Sequence, residues 1–285
     1  MVVPAISDGE KAFIVTGAEK DVRCDGRRQN ESRDVEIRCG VIAQAAGSSR
    51  VRLGGTDVIV GVKVEIGTPE ADTPGIGSLE FSVECSPVAS PAFRGRGGEE
   101  LAAELVGAIE KSYYMGPSSV TSESPIDLSS LCILSGKSCW VLYVDALILD
   151  LDGSVIDAIS MACRAALQDT KIPKVEIQQQ DGDDADFEVD DDPEQATRLD
   201  VSRVPLSLSV ALTGTAIIVD PTSAEEEAAT VVMSVSTNEE GHVCGISKHR
   251  GEGMSANVLL DMIAIAREEL RERHTKVKNF LIDET

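Results

Sequence analysis

An α/β chain of two similar halves, each a run of strands closed by a helix, is the fold class this sequence predicts. Three observations carry that prediction. Strand-like segments rich in Val and Ile alternate with amphipathic helical segments along all 285 residues. Aromatic residues make up only 3% of a chain that is 42% hydrophobic, so the core rests on Val, Ile, Leu and Ala, which suits sheets covered by helices. One low-complexity stretch separates the two runs, giving a first half over residues 1–195, with an acidic loop at 178–194, and a second half over 196–285. The expected architecture is α/β (α+β), mixed sheets with helices packed on them.

The elements follow in order. Val35 to Cys39 and Arg50 to Leu53 alternate as short strands do, and Val58 to Ile66 is β-branched and mostly apolar, as a central strand should be. Leu79 to Cys85 alternates again. Gly97-Gly98 then hands over to a helix in which Leu101, Leu105, Ala108 and Ile109 share one face, with Glu99 and Glu100 in the first turn where the helix dipole favours them. Cys139 to Leu149 reads as a core strand. Asp152-Gly153 turns the chain into a helix over Asp157 to Gln168, which stops before Ile172-Pro173. The second half repeats the grammar: strands at Val204–Leu212, Ala216–Val219, Thr230–Ser236 and His242–Ser247, then an amphipathic helix from about Ser255 to His274. Gly116 to Pro125 reads as a loop. Gln178 to Glu194 reads as a solvated acidic loop, because nine carboxylates stand there without a basic residue; its spacing does not make a calcium loop.

Charge narrows the function. A net charge of −23 repels nucleic acid at long range, so any RNA contact must use a local basic patch or belong to a larger assembly. Seven scattered Cys without a CxxC pair predict reduced, intracellular thiols. No secretory signal and no apolar stretch of membrane-spanning length is evident. Nucleotide-binding glycine loops, a GxSxG elbow and an HExxH metal motif are all missing, and His242, His249 and His274 form no ligand set with Cys, so no metal or cofactor is expected.

Three clusters remain. Arg23, Arg27, Arg28 and Arg33, with Arg50 and Arg52, form either surface pairs with carboxylates or a basic face for RNA. Arg94 and Arg96 sit on a Gly-flexible loop before a helix, from which they could reach a phosphate backbone. Val219-Asp220-Pro221-Thr222-Ser223-Ala224-Glu225-Glu226-Glu227 gathers carboxylates at a strand exit, either to hold Mg²⁺ or as first-turn acids of a helix.

Several of these segments carry a family likeness: Val22-Arg23-Cys24-Asp25-Gly26-Arg27, Leu53-Gly54-Gly55-Thr56-Asp57, Gly67-Thr68-Pro69, Gly95-Arg96-Gly97-Gly98, Cys139 to Asp145, Asp157-Ala158-Ile159-Ser160 and Val219-Asp220-Pro221-Thr222. In order and spacing they resemble the RNase PH-like family of phosphorolytic exoribonucleases, from about Glu10 to the last helix. The resemblance implies an RNase PH fold, two βαβ-like halves similar to the second domain of ribosomal protein S5, with the helices outside. It implies a hexameric exosome ring of related subunits, S1/KH cap proteins above, a processive exoribonuclease below, and single-stranded RNA threaded through the pore.

In active members the turn before the helix carries a Thr-Arg pair that grips inorganic phosphate. The matching positions here are Val155 and Ile156, which resemble a degenerate phosphate site. Asp220 matches one of the family's carboxylates and the second falls near Glu226, a degenerate carboxylate site. Arg94 and Arg96 fall where members place residues near the RNA path. The implied role is a non-catalytic structural subunit, with no catalytic residue, cofactor or metal, serving rRNA maturation, RNA turnover and mRNA decay in nucleus, nucleolus and cytoplasm. The alternative is a phosphate-dependent 3′-to-5′ exoribonuclease whose active site is shared with a neighbouring subunit; a free-standing RNA-binding module is a further one.

Overall fold

A computed structural model of the chain describes residues 6–90, 93, 95–113, 125–178, 186–190, 192, 194–251 and 253–283. It opens with a helix that the apolar pattern does not announce, α1 (Asp8–Glu19), where only Ile14 and Ala18 are buried. Its start is nevertheless written locally. The Ser7 hydroxyl accepts from the Glu10 N–H, and the Glu10 carboxylate accepts from the Ser7 N–H, a reciprocal cap.

The first sheet contains β1 (Val35–Cys39), β2 (Gly47–Leu53), β3 (Thr56–Gly67), β4 (Ser78–Cys85), β5 (Cys132–Leu134) and β6 (Ser138–Asp150). Its order is β1-β2-β3-β6-β4, with β5 also on β6. The long central pair β3 and β6 is antiparallel, in register from Val58 opposite Ile148 to Gly67 opposite Cys139, with an irregularity before it at Asp57 opposite Asp150. Val58, Val60 and Val62 alternate into the core, as the β-branched pattern predicts. Strand β4 runs parallel to β6 and so needs a crossover, which α2 (Glu99–Tyr113) supplies.

Next comes α3 (Val155–Asp169), then two short pairs: β7 (Lys171–Ile172) with β10 (Thr197–Arg198), and β8 (Val175–Gln178) with β9 (Asp186–Val189). The acidic segment is therefore not all loop. In Asp186–Val189, Phe187 and Val189 alternate with the acids and stand opposite Ile177 and Val175, so period-two pairing overrides the charge. Residues 179–185, 191 and 193, and the 116–124 segment read as a loop, lie outside the described residues.

The second sheet is β12-β11-β13-β14, from β11 (Leu206–Thr213), β12 (Ala216–Val219), β13 (Val231–Thr237) and β14 (Val243–Gly251). The short helix α4 (Ser223–Ala228) links β12 to β13 across β11; both are antiparallel to β11 and hence parallel to each other, a split βαβ unit. The last helix, α5 (Ala256–Asp283), packs on β11 and β13.

The helices are not all outside. Helix α3 packs on β2 and β3 of one sheet and on β11 of the other, and it is buried from Ile156 through Leu167. The reason is compositional: Ile156, Ala158, Ile159, Met161, Ala162, Cys163, Ala165 and Ala166 cover its whole circumference, which places a helix inside a core. Helix α1, although it begins the chain, packs on α4, β11 and β12 of the second half, where Ala18 joins Ala211, Ala216, Ile218, Ala229 and Val232 in a small apolar cluster.

Candidate functional site at the start of α3

Two turns meet where the halves join. One is Asp152-Gly153-Ser154 before α3, and the other is Asp220-Pro221-Thr222 before α4. Gly153 has φ +76° and lies so close that a Cβ would fall 2.4 Å from the Pro221 carbonyl oxygen. The Ser154 hydroxyl donates to that same carbonyl at 2.9 Å. Ser154 and Asp220 themselves adopt left-handed backbone, φ +49° in each, a strained conformation held by these contacts.

The arginines that form either surface pairs with carboxylates or a basic face in the sequence reading do pair with carboxylates, but at three positions the pairs turn inward, Arg27 keeping an exposed one to Asp25 as well. Arg23, Arg27 and Arg33 turn inward. Arg33 grips Asp220 with both ends of its guanidinium, Nη2 to Oδ1 at 2.6 Å and Nε to Oδ2 at 3.0 Å, and its backbone N–H reaches Oδ2 at 2.8 Å. The same guanidinium donates to the Asp152 carbonyl at 2.6 Å, tying the two turns together. Arg27 adds a contact to Asp220 at 3.3 Å. Arg23 forks onto Glu225 at 2.5 and 2.8 Å. Burial pushes the Asp220 carboxyl upward, but the hydrogen bonds and charge of Arg33, with Arg273 behind it, bring it down to about 2. Arg50 and Arg52 pair with Asp57 at the surface, as the plainer reading has it.

Deeper in, Asp157 in the first turn of α3 is fully buried. It meets Arg273 of α5 at 2.9 Å and accepts from the Ser209 hydroxyl at 2.7 Å; burial raises its carboxyl despite Arg273. Arg273 and Ser209 carry no signal in the sequence, because they stand 116 and 52 residues from Asp157.

The remaining predicted residues gather at α3. Glu226 reaches from α4 to accept the Ser154 N–H at 2.7 Å, so the N-terminal amide of α3 is capped by the chain's own carboxylate. Val155 and Ile156 follow at once, and with Glu226 they line one cavity of about 200 Å³. Burial lifts the Glu226 carboxyl to about 7; Asp157 and Asp220 push the same way, against the Ser154 N–H and Arg33. Asp220 lies beside this group but its charge is spent on arginines. Arg96 is on the surface, its side chain 91% exposed and 3.9 Å from Glu99, and is not among the residues lining this cavity; Arg94 lies outside the described residues. Among the described residues no cluster of His, Cys, Asp and Glu is arranged to hold a metal ion.

Comparison with known proteins decides the family of the chain. Residues 31–173 match domain 1 of the 3′ exoribonuclease family, RNase PH, and residues 203–269 match its domain 2. The chain belongs to the RNase PH family. A Dictyostelium discoideum relative bearing the name exosome complex exonuclease RRP42 is 34% identical, the match covering 92% of this chain and 93% of that one. The exosome complex component Rrp42 of Methanothermobacter thermautotrophicus is 36% identical over 94% of this chain and 93% of its own length. The fold likewise superposes on a chain of the Archaeoglobus fulgidus exosome with RNA bound to the active site, with a TM-score of 0.80 at 28% identity, covering 94% of this chain and 98% of that one. The RNase PH fold expected from the motifs, and the likeness to the ribosomal RNA-processing protein 42 type of exosome component, are both present in the molecule.

Proposed function

We propose that this RNase PH-family chain is a structural subunit of an RNA exosome ring and carries no catalytic site of its own. The ring assignment is supported by near full-length relatives named as exosome components and by the exosome fold. The observation that carries the non-catalytic part is the closure of α3: Glu226 occupies the Ser154 N–H, and Val155 and Ile156 follow without a donor side chain for an anion. Helix N-termini bind phosphate through free N–H groups, and a resident carboxylate takes one of those donors and, in its ionised form, repels a second anion. The carboxylates that could serve chemistry are bound up in support of the fold, Asp220 by Arg33 and Asp157 by Arg273.

On this reading the partners are related ring subunits, S1/KH caps, a processive exoribonuclease below the ring, and single-stranded RNA in the assembled pore, with exposed Arg96 as one of the chain's contacts to it. The compartments are nucleus, nucleolus and cytoplasm. The test is phosphorolysis: the purified chain, given single-stranded RNA, Mg²⁺ and inorganic phosphate, releases no nucleoside diphosphate. Release above the level of a no-protein control would overturn the reading in favour of an enzyme.

A further inference from the structure

The cavity beside α3 combines features that an anion site does not have. Its apolar walls are Leu105 of α2, Val155 and Ile156 of α3 and Val232 of β13, and Glu226 lines it with them. At about 200 Å³ it is smaller than the roughly 300–1,000 Å³ of sites for drug-sized ligands, and suits a single side chain or its equivalent. Its charge balance is uneven. Asp220 is neutralised by Arg33, Asp157 by Arg273 and Glu225 by Arg23, each at 2.9 Å or closer. Glu226 alone of these four carboxylates has no cation within ion-pair distance among the described residues; its Oε1 accepts only a peptide N–H.

The groups around it settle which charge is missing. Asp157 on α3 and Asp220 after β12 raise the cost of ionising Glu226, Arg33 lowers it, and Arg273 is committed to Asp157. On the solvent side Glu104 of α2, His249 and Arg250 of β14 complete the lining. His249 is held on both nitrogens, by Glu104 and by the Ser234 hydroxyl, each at 2.8 Å, and Arg250 is exposed. Asp157 and Asp220 behind it are already paired and the exposed Arg250 of the lining makes no ion pair with it, so among the described residues the half-enclosed Glu226 carboxylate has no direct counter-ion.

We propose that this cavity is a socket for an aliphatic cation, whose ammonium or guanidinium head meets Glu226 and whose hydrocarbon stem packs between Leu105, Val155, Ile156 and Val232. A lysine or arginine side chain of a neighbouring protein and a free polyamine present the same chemistry. The inference rests on the reading that this site holds no phosphate.

Agmatine, a guanidinium on a four-carbon amine, is the probe, titrated by calorimetry into the full-length chain at pH 6 and pH 8. Binding needs the ionised carboxylate, so with Glu226 near 7 the affinity rises about tenfold from pH 6 to pH 8. Glu226→Gln keeps the acceptor for Ser154 and the fold, and abolishes both binding and its pH dependence. Leu105→Ala, which trims a wall and leaves the carboxylate, weakens agmatine more than it weakens guanidinium ion alone. Exclusion of agmatine from the assembled complex would assign the socket to a neighbour's basic side chain, and retention would assign it to a free cation; both support the socket. A folded chain that ignores agmatine at pH 8, or a Glu226→Gln chain that binds it equally, overturns the proposal. Binding of inorganic phosphate to the unaltered chain in the same calorimeter would instead break the reading beneath it.

Discussion

Replacing Arg33 by methionine isolates the contact that ties the turn before α3 to the turn before α4. The substitution keeps the stem and removes the guanidinium, leaving Asp220, which is wholly inaccessible to solvent, with one backbone N–H and the longer Arg27 contact at 3.3 Å. Two routes give the magnitude. The fall of the Asp220 carboxyl from 3.8 to about 2 corresponds to about 2.5 kcal/mol of preference for the charged form. Removing one partner of a buried pair costs about 3–5 kcal/mol, because the other is left as an uncompensated charge. The Asp152 carbonyl also loses its 2.6 Å donor, which favours the higher figure.

Urea unfolding followed by circular dichroism at pH 7 should therefore show a loss of about 3–4 kcal/mol. Adding Asp220→Asn to Arg33→Met should recover part of it by removing the stranded charge. The pH dependence has a definite sign. A depressed folded-state value means that Asp220 contributes its stability above pH 3.8 and loses it as the pH falls toward 2, and this acid-side slope should vanish in the Arg33 variant. A loss below about 1 kcal/mol would place Arg33 among ordinary surface pairs and refute the reasoning.

Glu226 titrates with the opposite sign: its folded-state value is raised from 4.5 to about 7, so stability falls as the pH rises through that window. Glu226→Gln should gain about 2 kcal/mol on the wild type between pH 5 and pH 8 in the same denaturation assay. Burial and the neighbouring Arg164 hold His274 neutral, down to about 4, with the imidazole between Arg164 and the Thr237 carbonyl. Its NMR titration should be missing between pH 5 and 8, and His274 should cost stability as the pH falls from 6.5 towards 4. Gly153→Ala, which forces a Cβ against the Pro221 carbonyl at positive φ, should cost about 2 kcal/mol or more, read as a lowered thermal midpoint.

What the sequence made legible follows from range. The long strands β3 and β6 and the helices α2 and α3 announce themselves because their burial pattern is written in consecutive residues. Helix α1 is silent by that measure, since Phe13 on it is exposed and only Ile14 and Ala18 are buried, although the Ser7–Glu10 cap is readable. The acidic run hides β9, because alternation of Phe187 and Val189 over four residues is outvoted by the surrounding charge.

The site was legible in its residue types and not in its connections. Val155, Ile156, Asp220 and Glu226 stand out in the chain. That Arg33 meets Asp220 across 187 positions, or that Glu226 closes onto Ser154 across 72, is settled only by the packing of one sheet against α3 and α3 against the other. For the same reason a string of arginines that reads as surface pairs or a basic face proves, at Arg23, Arg27 and Arg33, to be an internal clamp, and α3, expected outside, lies at the centre.

The central claim is membership of a ring. Native mass spectrometry of the tagged chain, purified gently from its own cells, tests it most directly. A stable complex containing several different RNase PH-family proteins together with S1-domain caps is the predicted result. A lone monomer, or a homo-oligomer of this chain, would contradict it.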